Sequence, residues 1–182
     1  MFIVLLMFGA MKLMRVSFYP TGTLGANMEG VDVIYTTYGV AILYEDQTYG
    51  TFGISQVNKL SPFPIYYHYG GSDAEIRMPF SATGYGPPEG EFVVAVKIPE
   101  ASKIDYISIG NHLELGDPLS DTLTLDDIRA HSNSYSVVKV AGEYVFVKTD
   151  GYSEKTWTIR AFDKNGKLIA DKRFGSAPRS LD

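Results

Sequence analysis

Hydrophobic positions open the chain as one block and then break into short runs. Phe2 to Met11 (FIVLLMFGAM) is almost wholly apolar and gives way to Lys12 and Arg15. Ser17 to Gly30 (SFYPTGTLGANMEG) is rich in Gly, Thr and Pro and reads as a connector. Beyond it, β-branched and aromatic runs recur at spacings of about ten residues, bounded by turn formers, which is the pattern of an antiparallel β protein. Val31–Tyr35, Val40–Tyr44 and Tyr49–Ile54 predict a meander with Glu45-Asp46-Gln47 as a polar turn. Gly39, Gly50 and Gly53 mark bulges or close backbone approaches within it.

Ile65–Tyr69 predicts a strand, and Pro62 and Pro64 ahead of it favour a sheet edge. Gly70-Gly71-Ser72-Asp73 reads as a turn, Ala74–Phe80 as a further strand, and Ser81–Gly90 (SATGYGPPEG) as a loop. Glu91–Ile98 is apolar on both faces in its middle and so predicts a central strand. Ile104–Ile109 alternates less cleanly. Thr124–His131 predicts the one short helix, with Thr124 as cap and Asp127 at the third helical position. Ser136–Val140 and Tyr144–Lys148 predict strands, and Lys155–Phe162 pairs with Lys167–Phe174 across Asp163-Lys164-Asn165-Gly166. In that hairpin Trp157, Ile159 and Ala161 share one face, opposite Thr156, Thr158, Arg160 and Phe162.

The expected fold is mainly β, an antiparallel sandwich or rolled sheet with one short α-helix, with α+β as the alternative. The expected layout is an apolar segment over 1–16, a connector over 17–30, one β-rich domain over 31–175 and a flexible tail over 176–182. At 182 residues the chain can bury roughly 70% of its unfolded surface, enough for a core without staples.

Charge and composition narrow the function classes. The net charge is −5, from 16 basic and 21 acidic residues, and no basic run exceeds Asp171-Lys172-Arg173. A phosphate-backbone footprint is missing, which argues against nucleic-acid binding. With no cysteine, disulfides, thiolate metal sites and a cysteine nucleophile are excluded. Thirteen Tyr and ten Phe accompany a single Trp. Tyr works well half wet, so this richness points to a contact surface as well as to sheet cladding.

The apolar start is half the length of a bilayer-spanning helix. It also lacks the basic leader and small-residue cleavage site of a secretory signal. It reads as the surviving half of an N-terminal anchor, as a core element, or as a membrane-surface segment. Lys12 and Arg15 would on their own place the following domain in the cytoplasm.

Reactive constellations are sparse. The histidines, His68, His112 and His131, form neither HxH nor HExxH, so no metal site or cofactor is expected. His112 and Glu114 would share a face in a strand and, with Asp117 and Asp121, make the best acidic cluster around a histidine. No G-x-S-x-G elbow is present. Gly84-Tyr85-Gly86-Pro87-Pro88-Glu89-Gly90 is glycine-rich, but its prolines remove the N–H donors a phosphate cradle uses. Asp163-Lys164-Asn165-Gly166 opens like a calcium loop yet lacks the remaining ligands. The cluster Phe63, Tyr66, Tyr67, His68 and Tyr69, followed by Tyr85, is the strongest candidate for a contact patch. Alternation puts Tyr67 and Tyr69 on one face, with Tyr66 and His68 on the other.

The segments Tyr144–Asp150 (YVFVKTD) and Thr156–Ala170 (TWTIRAFDKNGKLIA), with Ala41–Asp46 and Tyr69-Gly70-Gly71, resemble uncharacterised Gram-positive bacterial proteins. Those are built as an N-terminal membrane anchor followed by an extracytoplasmic β-rich domain. The resemblance spans most of residues 30–175 and carries no site residues. The chain departs from it in lacking the longer, basic-flanked anchor. What it implies is a membrane location on the extracytoplasmic side, with a cytoplasmic location as the alternative.

Three functions remain in view. One is a non-enzymatic, membrane-tethered binding module with a protein or envelope component as partner. Another is a cell-envelope hydrolase using carboxylates near His112. The third is a cytosolic inhibitor or immunity-type protein.

Overall fold

The computed structural model describes residues 10–87, 90–111, 123–150, 157–173 and 175–181. The protein is mainly β, and each strand pairing whose register is described is antiparallel. The chain divides into two compact units, Met1–Glu75 with Thr83–Tyr85, and Ile76–Ala82 with Gly86–Asp182.

The first unit is a five-stranded sheet in the order β1-β5-β4-β3-β2. Its strands are β1 (Val16–Ser17), β2 (Met28–Thr36), β3 (Gly39–Asp46), β4 (Thr51–Lys59) and β5 (Tyr66–Glu75). The predicted meander is β2 to β4, and Gly39 takes φ 143° at the first of its turns. Val40, Ile42 and Val57 form a buried cluster on one face, covered by Leu24, Val33 and Tyr66. The stretch expected as a connector adds β1 and a 3-10 turn at Pro20–Thr23. Thr23 closes that turn by donating from Oγ1 to Pro20 O at 2.7 Å.

Three expectations fail in the next stretch. Gly70-Gly71-Ser72-Asp73 is the interior of β5, facing Gln56 to Gly53 of β4. The glycines serve close approach there: a Cβ on Gly71 would run into the carbonyl of Ile54, and one on Gly70 into the Tyr85 hydroxyl. β5 then ends at Glu75, so Ile76–Phe80 is not a strand, in keeping with the lost donor at Pro79. Ser81–Tyr85, read as part of a loop, is strand β6. Its opening residues are small and buried, and Phe80 ahead of it is fully buried, so packing outweighs the Gly and Pro that follow.

The remaining strands form two sheets. One is three-stranded in the order β10-β7-β6, with β7 (Glu91–Lys97) and β10 (Tyr144–Asp150). The other runs β13-β12-β11-β8-β9. Its strands are β8 (Tyr106–Asn111), β9 (Tyr135–Lys139), β11 (Trp157–Phe162), β12 (Leu168–Arg173) and β13 (Arg179–Ser180). β7 is central and buried on both faces, as its continuous apolar run predicts. Phe92, Val94, Val96 and Val145 from one sheet join Ile107, Ile109, Trp157, Ile159 and Ala161 from the other in one core.

Helix α1 (Leu125–Ala130) covers the far face of the second sheet, where Leu125 and Ile128 pack with Tyr135, Phe162 and Leu168. Its capping box is complete: Asp127 N donates to Thr124 Oγ1, and Thr124 N donates to Asp127 Oδ2 at 2.8 Å. The β11–β12 turn is held by Asp163, whose Oδ1 accepts from Asn165 N at 2.8 Å and Lys167 N at 2.9 Å, with Gly166 at φ 79°. The C-terminal residues, expected to fray, instead carry β13. Arg179 clamps it with a two-pronged bond to Asp171 at 2.6 and 3.0 Å.

Candidate functional site

β5 carries four of the predicted contact residues, and the fold sorts them by exposure. Tyr66 and His68 are half-buried, while Tyr67 is 36% and Tyr69 66% exposed. This is the division that strand alternation predicts.

The inward pair is structural. Tyr66 packs on the cluster of Val40, Ile42 and Val57. His68 Nδ1 lies 3.0 Å from Ser55 Oγ on β4, and its backbone N–H donates to Arg15 O at 3.2 Å. Arg15 stands at φ 53° and donates from Nε to Thr23 O at 3.1 Å, which ties the N-terminal stretch to the sheet. Burial, and then the Arg15 charge, lower the His68 pKa, so the neutral ring is favoured. The Ser55–His68 contact has the composition of a nucleophile and its base. With Ser55 only 1% exposed, however, no substrate carbonyl can reach its hydroxyl here. The pair satisfies two polar groups in a packed sheet.

Of the outward pair, Tyr67 is paired with β1, and Tyr69 sits where that pairing has ended. β1 pairs with β5 only at Tyr66 and Tyr67. Among the described residues, no strand in the sheet order flanks that side of β5 from Tyr69 onward. A register shift between Gln56 and Val57 gives β5 one extra residue there: Gln56 faces Gly70 and Val57 faces His68. Such a bulge turns the local side chains and increases the twist. Tyr85 approaches the same stretch, its hydroxyl standing over Gly70, while Ser72 Oγ donates to Gly84 O at 2.8 Å and accepts from Thr83 Oγ1 at 2.9 Å. The structure thus brings a half-buried Tyr85 against β5 at Gly70, not out onto the exposed face with Tyr69.

Phe18, Tyr19 and Phe63 are also exposed and extend the aromatic surface at the N-terminal end of β5. Phe18 follows directly on Ser17, the partner of Tyr66, and Phe63 precedes β5 by three residues. The sequence reading passed over Phe18 and Tyr19 because Pro20 and the glycines around them signal a connector. Their available signal was two adjacent aromatics in an otherwise small-residue stretch.

His112 and Glu114 lie outside the described residues. Among the described residues no group of three His, Cys, Asp or Glu is placed to hold a metal ion, and no helix is long and apolar enough to cross a membrane. A separate cleft of about 580 Å³ lies between α1 and the β11–β12 turn, lined by Tyr106, Thr124, Asp126, Arg129, Lys164 and Lys167. None of the predicted contact residues lines it. Arg129 there pairs with Asp126 at 3.3 Å and sits 5.3 Å from the Tyr106 ring centre.

What the β5 edge offers chemically is adhesion. Phenol rings supply flat apolar area and a hydroxyl each, with few rotatable bonds to freeze on contact. No protein-family model matches the chain, and no curated protein or solved structure is significantly similar to it.

Proposed function

We propose that this chain is a non-enzymatic binding module of the cell envelope, tethered to the membrane through its apolar start and facing outward. Its contact surface is the aromatic edge at β5. One observation carries this reading: Tyr67 and Tyr69 are exposed on the outward side of β5, and Phe18, Tyr19 and Phe63 are exposed near its N-terminal end. Contiguous exposed aromatics are unusual on a surface with no partner and mark interaction sites. The tether is supported by the apolar run Phe2–Met11 alone.

Cosedimentation with insoluble cell-envelope material tests the contact surface. The full chain pellets with it, and Tyr67→Ala with Tyr69→Ala weakens that binding by roughly 10- to 100-fold, the loss typical of two aromatic anchors. Equal pelleting of the double variant and the wild type overturns the assignment. For the tether, deleting residues 2–11 releases the protein from the membrane fraction. A wild-type chain found wholly in the soluble fraction overturns that part.

A further inference from the structure

β11 places an arginine where a core residue would be expected. Arg160 is 2% exposed and stands between Ser108 on β8 and Asp171 on β12. Asp171 in turn faces Arg179 on β13. The next row on the same face of the sheet runs Arg173, Thr158, Gly110, Tyr135. Arg160 and Arg173 are therefore diagonal neighbours on adjacent strands, about 7 to 8 Å apart along the sheet. Tyr135 leans over Gly110, where a Cβ would stand 2.6 Å from its ring, and the ring centre is 5.4 Å from the Arg160 guanidinium carbon.

This face is rich in donors and short of acceptors. Arg160 Nη1 and Nη2, Arg173 Nε and Nη2, Ser108 Oγ and Tyr135 Oη are all buried and have no hydrogen-bond partner among the described residues. The Asp171 carboxylate accepts both prongs of Arg179, and Arg173 Nε is 3.8 Å from it, too far for a hydrogen bond. With Asp171 held by Arg179, the Arg160 and Arg173 guanidiniums have no hydrogen-bonded carboxylate of their own among the described residues. Arginine does not shed its proton to escape burial, and an unpaired buried charge costs several kcal/mol. A negatively charged acceptor is the remaining remedy. A carboxylate brings a single charge and about four acceptor positions, whereas a phosphate group brings up to two charges on three or four oxygens, and guanidinium forks match it in two-pronged fashion.

We propose that this face of the sheet binds a phosphate group, free or esterified, through Arg160 and Arg173 with the hydroxyls of Ser108 and Tyr135. The residues differ from those of the β5 edge, so each reading stands or falls alone.

Calorimetric titration and thermal unfolding of the full chain test it, with inorganic phosphate and, separately, phenyl phosphate. Sodium chloride at matched ionic strength is the control. Either probe binds saturably and raises Tm by about 5 to 10 °C at a hundred times its Kd. A response to inorganic phosphate marks a site for the free ion, and a response to the ester alone marks one that recognises the attached group. Tyr135→Phe and Ser108→Ala leave the phosphate-free protein folded and weaken binding roughly tenfold each, and Arg173→Gln weakens it about a hundredfold. No response beyond chloride overturns the site, as does wild-type affinity in those variants. It also falls if amide substitutions at Glu114, Asp117 and Asp121 lower Tm while phosphate does nothing, because the counter-charge then belongs to the chain itself.

Discussion

The phenol oxygen of Tyr85 stands over the Cα of Gly70, in the space a side chain at position 70 would need. The absent Cβ lets the Tyr85 ring lie against β5 at Gly70, and so the glycine helps to hold the strand that carries the proposed contact residues. Gly70→Ala forces the ring away and destabilises the fold by about 1 to 3 kcal/mol, the range for overpacking. Combined with Tyr85→Ala, most of that extra cost disappears, because the collision partner is gone. Chemical denaturation of the four proteins in this cycle measures the coupling. Additive effects would show that ring and backbone do not meet.

Stability toward acid depends on His68. Its ring is half-buried, faces Arg15 and contacts Ser55, so its pKa in the folded state lies below the ordinary histidine value. The unfolded chain then takes up the proton first. This contribution is intact above about pH 6.5, declines as pH falls from there toward the lowered folded value, and levels off below it. Thermal unfolding between about pH 7.5 and pH 5 shows a steeper loss for the wild type than for His68→Gln. Identical slopes would mean that the imidazole titrates as it does in water.

Helix α1 is only six residues long, so its ends matter more than its propensity. Thr124 accepts from Asp127 N and is bonded in return by the Asp127 carboxylate, which lowers the Asp127 pKa, chiefly through the Thr124 hydroxyl. Thr124→Ala lowers stability by about 1 kcal/mol, as urea denaturation reads it. The substitution also raises the Asp127 pKa toward the usual carboxylate range, visible by NMR titration. An unshifted carboxyl in the variant would show that the cap is not what holds it down.

The sequence made the fold legible wherever local pattern and tertiary packing agree. The β2–β4 meander, the doubly buried β7, the capping box at Thr124 and the hairpin at Asp163 each announce themselves through alternation or turn chemistry within a few residues. The reading failed where a long-range contact sets the conformation. Gly70 and Gly71 look like a turn until Tyr85 and the Ile54 carbonyl are placed against them. Ser81–Tyr85 looks like a loop until its small buried side chains are counted. Arg179 looks like tail until Asp171 is seen across from it. At the candidate site, exposure along β5 followed from period-two alternation, but the arrival of Tyr85, Phe18 and Tyr19 depends on strand order, which no local window contains. The burial of Arg160 was hidden for the same reason. Alternation set it opposite Ile159 without revealing that α1, Tyr135 and the outer strands enclose that second face.

The reading of the β5 edge as a contact surface is tested most directly by chemical footprinting of tyrosine in the full chain, with and without cell-envelope material. Tyr67 and Tyr69 lose reactivity when the material is bound, while the still more exposed Tyr35 and Tyr49, on β2 and at the β3–β4 turn, keep theirs. Unchanged reactivity at Tyr67 and Tyr69 under conditions where the protein is bound would contradict it.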